Sequence, residues 1–72
     1  MRTEIRVLDV VALTKDLPQH DLSRGQVGTI VEVLAPGVFE VEFCDNDGRT
    51  YATLAVRAEQ LLVLRYEPAG VP

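Results

Sequence analysis

The clearest pattern in the chain is VFEVEF, residues 38–43, where apolar and acidic side chains alternate one by one. A period of two predicts a β-strand with Phe39, Val41 and Phe43 on one face and Glu40 and Glu42 on the other. Slipping the register by one residue would bury both glutamates, so the register is strongly specified. LDVVALT, residues 8–14, is apolar on both alternating faces apart from Asp9, as expected of a strand covered on both sides or of a sheet that curls on itself. GQVGTIVEVL, residues 25–34, reads as a further strand. Gly25 supplies the turn into it, and Gly28 marks a bulge or a close backbone approach. YATLAV (51–56) and LLVL (61–64) complete a set of five strands.

The punctuation fits this set. KDLPQHDLSR, residues 15–24, is a long polar loop in which Leu17 and Leu22 are expected to act as anchors. APG (35–37) is a short turn of three residues, and Asp47-Gly48 within CDNDGRT supplies residues that tolerate positive φ. AEQ, residues 58–60, suits a single 3₁₀ turn before the last strand. An all-β fold follows: a small five-stranded SH3-like barrel with a long first loop and a short 3₁₀ turn before the last strand. It is expected to span residues 1–66, with a mobile tail over 67–72 that holds Pro68, Gly70 and Pro72.

Length and composition narrow the picture. Seventy-two residues make one domain, and 47% of them are apolar. A chain this short buries only about 60% of the surface its unfolded form exposes, so every core position counts. The single cysteine, Cys44, has no partner for an internal disulfide and cannot build a zinc site alone. It lies in phase with Glu40 and Glu42, with no neighbouring cation in sequence to activate it. MRTEIRVLDV has neither the apolar core of a signal peptide nor the length of a membrane span, so a reducing cytoplasm is the expected setting. The net charge of −4, from 11 acidic and 7 basic side chains, disfavours general affinity for phosphate backbones.

No residue group carries the pattern of an enzyme, a cofactor site or a metal centre. His20, Asp21 and Ser23 share one loop, whereas a catalytic triad needs its base held between nucleophile and orienter by a rigid scaffold. Asp45, Asn46, Asp47 and Gly48 resemble part of a calcium loop, but the ligand spacing stops after two aspartates and turn chemistry explains them. Without tryptophan, and with Phe39 and Phe43 assigned to the core, Tyr51 and Tyr66 make a poor groove for proline-rich or methyl-lysine peptides.

DVVALTKDLP, LSRGQVGTIVEVL, GVFEVEFCDNDGRTYA and LLVL together resemble a small bacterial family classed as a domain of unknown function, over roughly residues 7–64. The resemblance implies a stand-alone SH3-like barrel and assigns no catalytic residue. GQVGTIVEV is also similar to the Gly-x-x-Gly-x-hydrophobic pattern of KOW-type barrels in ribosomal and transcription proteins. Those surround the pattern with Lys and Arg, where this chain has Glu32, Glu40 and Glu42. GVFEVEF further resembles a strand of the small barrel in nitrile hydratase β chains and their activators, which implies a supporting role with no chemistry of its own.

The candidate binding residues are therefore Glu32, Glu40, Glu42, Asp45 and Asp47, an acidic face suited to another protein with a basic surface. Outward charges also keep a β-barrel soluble, so this face has a plain reading beside the functional one. The expected function is that of a non-enzymatic protein-binding module such as an antitoxin, immunity protein or accessory subunit. The alternative is a KOW-like nucleic-acid or ribosome-associated module using Lys15, Arg24, Arg49 and Arg57. Self-association through a strand edge is left open.

Overall fold

The computed structural model describes residues 4–68. Its elements in chain order are β1 (Val10–Leu13), η1 (Pro18–His20), β2 (Val27–Ala35), β3 (Val38–Cys44), β4 (Thr50–Arg57), η2 (Ala58–Gln60) and β5 (Leu61–Val63), where η denotes a 3₁₀ turn. The strands form one antiparallel sheet in the order β4-β3-β2-β1-β5. The all-β class, the five strands, the long first loop and the 3₁₀ turn before the last strand are all as the sequence predicts. Among the described residues β4 and β5 do not pair, so the sheet is not closed into a hydrogen-bonded ring. Of the tail expected over 67–72, residues 69–72 lie outside the described residues.

The sheet must nevertheless roll up. β4 and β5 are its two outermost strands, yet only the three residues of η2 join them. In a flat sheet they would stand about 19 Å apart. Four residue steps span at most about 14 Å even when fully extended, and a 3₁₀ turn spans less. η2 is also pinned on both sides. The Ala58 N–H donates to the Gly37 carbonyl (2.9 Å), and the Thr14 N–H donates to the Gln60 carbonyl (2.9 Å).

Rolling encloses one core built from every strand. Val11 and Leu13 come from β1, Ile30 from β2, Phe39, Val41 and Phe43 from β3, Val56 from β4 and Leu61 from β5. Val11, Ile30, Val41 and Phe43 are completely buried. The alternation of VFEVEF is thus realised as expected, with its three apolar side chains inside. Leu17 and Leu22 are buried in the same core, which anchors the first loop as expected, and their mutual backbone hydrogen bonds of 2.8 and 3.2 Å close the loop on itself.

The elements depart from the predicted limits in a few places. β1 starts at Val10 because residues 6–9 form a tight turn instead of extending the strand. The Asp9 carboxylate accepts the Arg6 N–H at 2.8 Å, and Leu8 takes a positive φ of 76°. Ala35 belongs to β2, so the β2–β3 connection is a two-residue turn, Pro36-Gly37, with Gly37 at φ 74°. The first loop contains a 3₁₀ turn led by Pro18 that the polar composition did not suggest.

Gly28 is a close approach and not a bulge. It pairs with Val11 on one side and Phe43 on the other, and faces the core. A Cβ there would lie 2.6 Å from Val41 Cγ1 and 3.0 Å from both the Glu42 carbonyl oxygen and Phe43 Cδ1. The missing side chain is the space that Val41 and Phe43 fill. Gly28→Ala is accordingly expected to destabilise the fold by about 1–3 kcal/mol. That is a large share of a total on the order of 5 kcal/mol for a domain of this size. Urea unfolding followed by circular dichroism measures it, and an unchanged midpoint would contradict the packing described.

Candidate functional site: an acidic row on the outer face

The outer face of the β2–β3–β4 ribbon is set by register. Glu42 lies between Thr29 of β2 and Thr53 of β4, while Glu40 lies between Glu32 of β2 and Ala55 of β4. Directly opposed residues share a face, so Glu32, Glu40 and Glu42 project together away from the core. The pairing of Glu32 with Glu40 depends on a bulge. Ile30 faces Val41, and continuing that register would set Glu32 against the inward-facing Phe39. The register shifts between Ile30 and Glu32, leaving Val31 as the extra residue and turning Glu32 outward. A second shift between Val33 and Ala35 leaves Leu34 extra. Val31, Val33 and Leu34 are all partly exposed near this end of the hairpin.

Among the described residues, no cation forms an ion pair with the row. The ion pairs between described residues join Arg6 to Glu4 (2.7 Å) and Arg57 to Glu59 (3.2 Å), and neither involves Glu32, Glu40 or Glu42. Glu42 has a soft neighbour in Cys44, whose Sγ lies 3.6 Å from Glu42 Oε1 and 3.5 Å from Thr50 Oγ1. Cys44 is exposed on the outward side, as its phase predicts.

The two aspartates of the candidate set are less alike than the sequence suggests. Asp45 Oδ1 accepts the backbone N–H groups of Asp47 (2.9 Å) and Arg49 (3.0 Å), so this carboxylate organises the β3–β4 turn. Gly48 completes the turn at φ 80°. Asp47 is exposed at the turn's tip. The glutamate row therefore runs along β3 toward a turn where Asp47 presents the next outward charge.

The cations do not gather in the same way. Arg49 and Arg57 flank β4 at opposite ends, roughly 25 Å apart on an extended strand. Lys15 and Arg24 belong to the first loop, which lies at the Arg49 end, since Gln26 there donates to the Tyr51 hydroxyl at 3.0 Å. That end also carries Asp16, Asp21, Asp45 and Asp47, and the Asp16 carboxylate caps the Arg24 backbone N–H at 2.8 Å.

Two other parts of the surface carry recesses. His20, Asp21 and Ser23 all lie on the exposed first loop, with no hydrogen bond linking them among the described residues. A shallow depression there is lined by Asp16, Pro18, Asp21, Leu22 and Ser23. A larger groove of about 460 Å³ lies between Phe39, Ala58, Leu61 and Val63, with Glu4 and Arg65 among its lining. Among the described residues, no group of three or more His, Cys, Asp or Glu is placed to hold a metal ion, and no helix is long and apolar enough to cross a membrane.

Fold and face together define a small all-β domain: one rolled antiparallel sheet with an acidic outer row. The family model described as "Domain of unknown function (DUF4926)" matches residues 7–63, and the chain belongs to that family. Comparison with curated proteins and with solved structures gave no match.

Like charges directly opposed across two strands repel. Glu32→Gln is expected to raise stability by roughly 0.5 kcal/mol at low salt. The gain should shrink as salt screens the pair. Urea titrations at two ionic strengths check this, and a salt-independent difference would assign the effect to something other than charge.

Proposed function

We propose that this domain is a non-enzymatic protein-binding module of SH3-like barrel type, with Glu32, Glu40, Glu42 and Asp47 forming its binding face and Asp45 holding the turn that presents Asp47. Its partner is another protein with a basic surface, as for an antitoxin, an immunity protein or an accessory subunit. One observation carries the reading: Glu32 and Glu40 stand directly opposite each other, with Glu42 in line and no ion pair to any of them among the described residues. Solubility alone is served as well by mixed charges, which attract each other across strands where these repel. A basic partner would relieve the repulsion on binding, so the unfavourable term in the free domain becomes a favourable one in the complex. Clustered like charge also speeds encounter with a surface of opposite sign.

Nucleic-acid binding through Lys15, Arg24, Arg49 and Arg57 fits less well, because Arg57 stands at the far end of β4 and the other three are interleaved with aspartates. Phosphate backbones are bound by adjacent positive charges whose neutralisation releases counterions.

Affinity capture of the tagged protein from its own cells tests the reading. The reference is a triple variant, Glu40→Lys, Glu42→Lys and Asp47→Lys, shown by circular dichroism to be folded. The native protein should retain a partner whose capture weakens as salt rises, and the variant should lose it at least tenfold. Equal capture by both would remove the acidic face from the account. Saturable, steeply salt-dependent binding of generic RNA in an anisotropy titration would favour the nucleic-acid reading instead.

A further inference from the structure

Among the described residues, the sheet has one long edge whose middle carries no blunting feature. β5, at one side, is only three residues long, and shortness is itself a protection for an edge. β4, at the other side, runs for eight residues and pairs only with β3 among the described residues. From Thr50 to Val56 it reads TYATLAV, without charge, proline or glycine. Its single register shift sits at the start, where Cys44 pairs with Thr50. Alternate backbone N–H and C=O groups along such an edge point outward, ready for another strand.

The outer face beside this edge says what kind of strand it fits. The β4 residues in line with Glu40 and Glu42 are Ala55 and Thr53, both short and both exposed. A strand added to β4 would lie about 10 Å from β3. Long side chains on its outward face, opposite Ala55 and Thr53, could lie across those two small residues. Lys and Arg have the flexible apolar stems for this, and their charged ends would meet Glu40 and Glu42. A bulkier residue at 53 or 55 would block the path.

We infer that the β4 edge accepts an extended segment of a partner protein by antiparallel strand addition, and that the segment carries Lys or Arg at alternate positions. The main-chain ladder supplies pairing along β4. The two basic side chains, two residues apart, supply selectivity through Glu40 and Glu42. This inference rests on the acidic-face reading and adds to it the backbone edge and the alternating pattern.

Peptide titrations separate the two ideas. The probe is a fluorescein-labelled nine-residue peptide of alternating Thr and Lys, compared with its Thr-Glu counterpart. A third peptide has the Thr-Lys sequence with three consecutive central residues N-methylated, which removes strand donors on both of its edges and leaves its charges intact. The expected result is saturable binding of the Thr-Lys peptide only, with the alternate β4 amides within 50–56 that point away from β3 gaining protection from hydrogen exchange. Glu40→Gln with Glu42→Gln should weaken it roughly tenfold. Equal binding of the N-methylated peptide would overturn strand addition and leave the acidic-face reading standing. Loss on N-methylation with no effect of the glutamine variants would overturn the basic selectivity and the acidic-face reading with it. A protein already dimeric, with its β4 amides protected before any peptide is added, would give the edge to a second copy and overturn the inference.

Discussion

The three-residue link between β4 and β5 is the constraint from which most of this structure follows. It joins the two outer strands of a five-stranded sheet, so the sheet cannot lie flat. A small chain gains from this. Rolling lets one face of a single sheet serve as its own packing partner, and Phe43, Ile30, Val41 and Val11 bury one another without a second layer. The curl is tight enough that one β2 position has no room for a side chain, which is why Gly28 sits between Val11 and Phe43. Inside and outside are then fixed for every strand position, and the outer face belongs to solvent or to a partner.

How much of this could be read from the residues depended on whether the signal was periodic or local. VFEVEF needed no context, because alternation names both faces at once. Leu17 and Leu22 were legible as anchors, being apolar residues in a polar loop. The turn at residues 6–9 was not legible, since Leu8 and Asp9 read as the start of a strand. What stops the strand is the Asp9 carboxylate on the Arg6 N–H, with Leu8 forced to positive φ, where a residue with a Cβ is rarely found. The exposure of Val31, Val33 and Leu34 was equally hidden, because TIVEVL suits a regular strand and the bulges arise only in pairing with β3.

The same bulge governs the candidate site. Glu40 and Glu42 were assignable to the outer face from alternation alone. Glu32 could only be placed near them, for its side depends on whether Val31 is counted in the register. Asp45 shows the opposite limit. Its type and position fitted an acidic face, but its carboxylate is engaged by two backbone amides of its own turn. Composition cannot separate a charge that is presented from one that is consumed locally.

A sequence selected only for stability would have little reason to keep both the Glu32–Glu40 opposition and the uncharged run of β4 from Thr50 to Val56. The first costs free energy in the isolated domain, and the second invites unwanted pairing. Each has a simple remedy, a lysine at position 32 or a charge at position 53 or 55, and either would leave the core untouched. Local rules broken without structural gain tend to mark places where something outside the fold is accommodated. Here the two breaches lie on one ribbon, with the repelling carboxylates of β2 and β3 one or two strands from the bare edge of β4. A single basic strand would answer both at once, by covering the edge with its backbone and the glutamates with its side chains. If each breach had a partner of its own, two occupants would have to share the same ribbon of β2, β3 and β4.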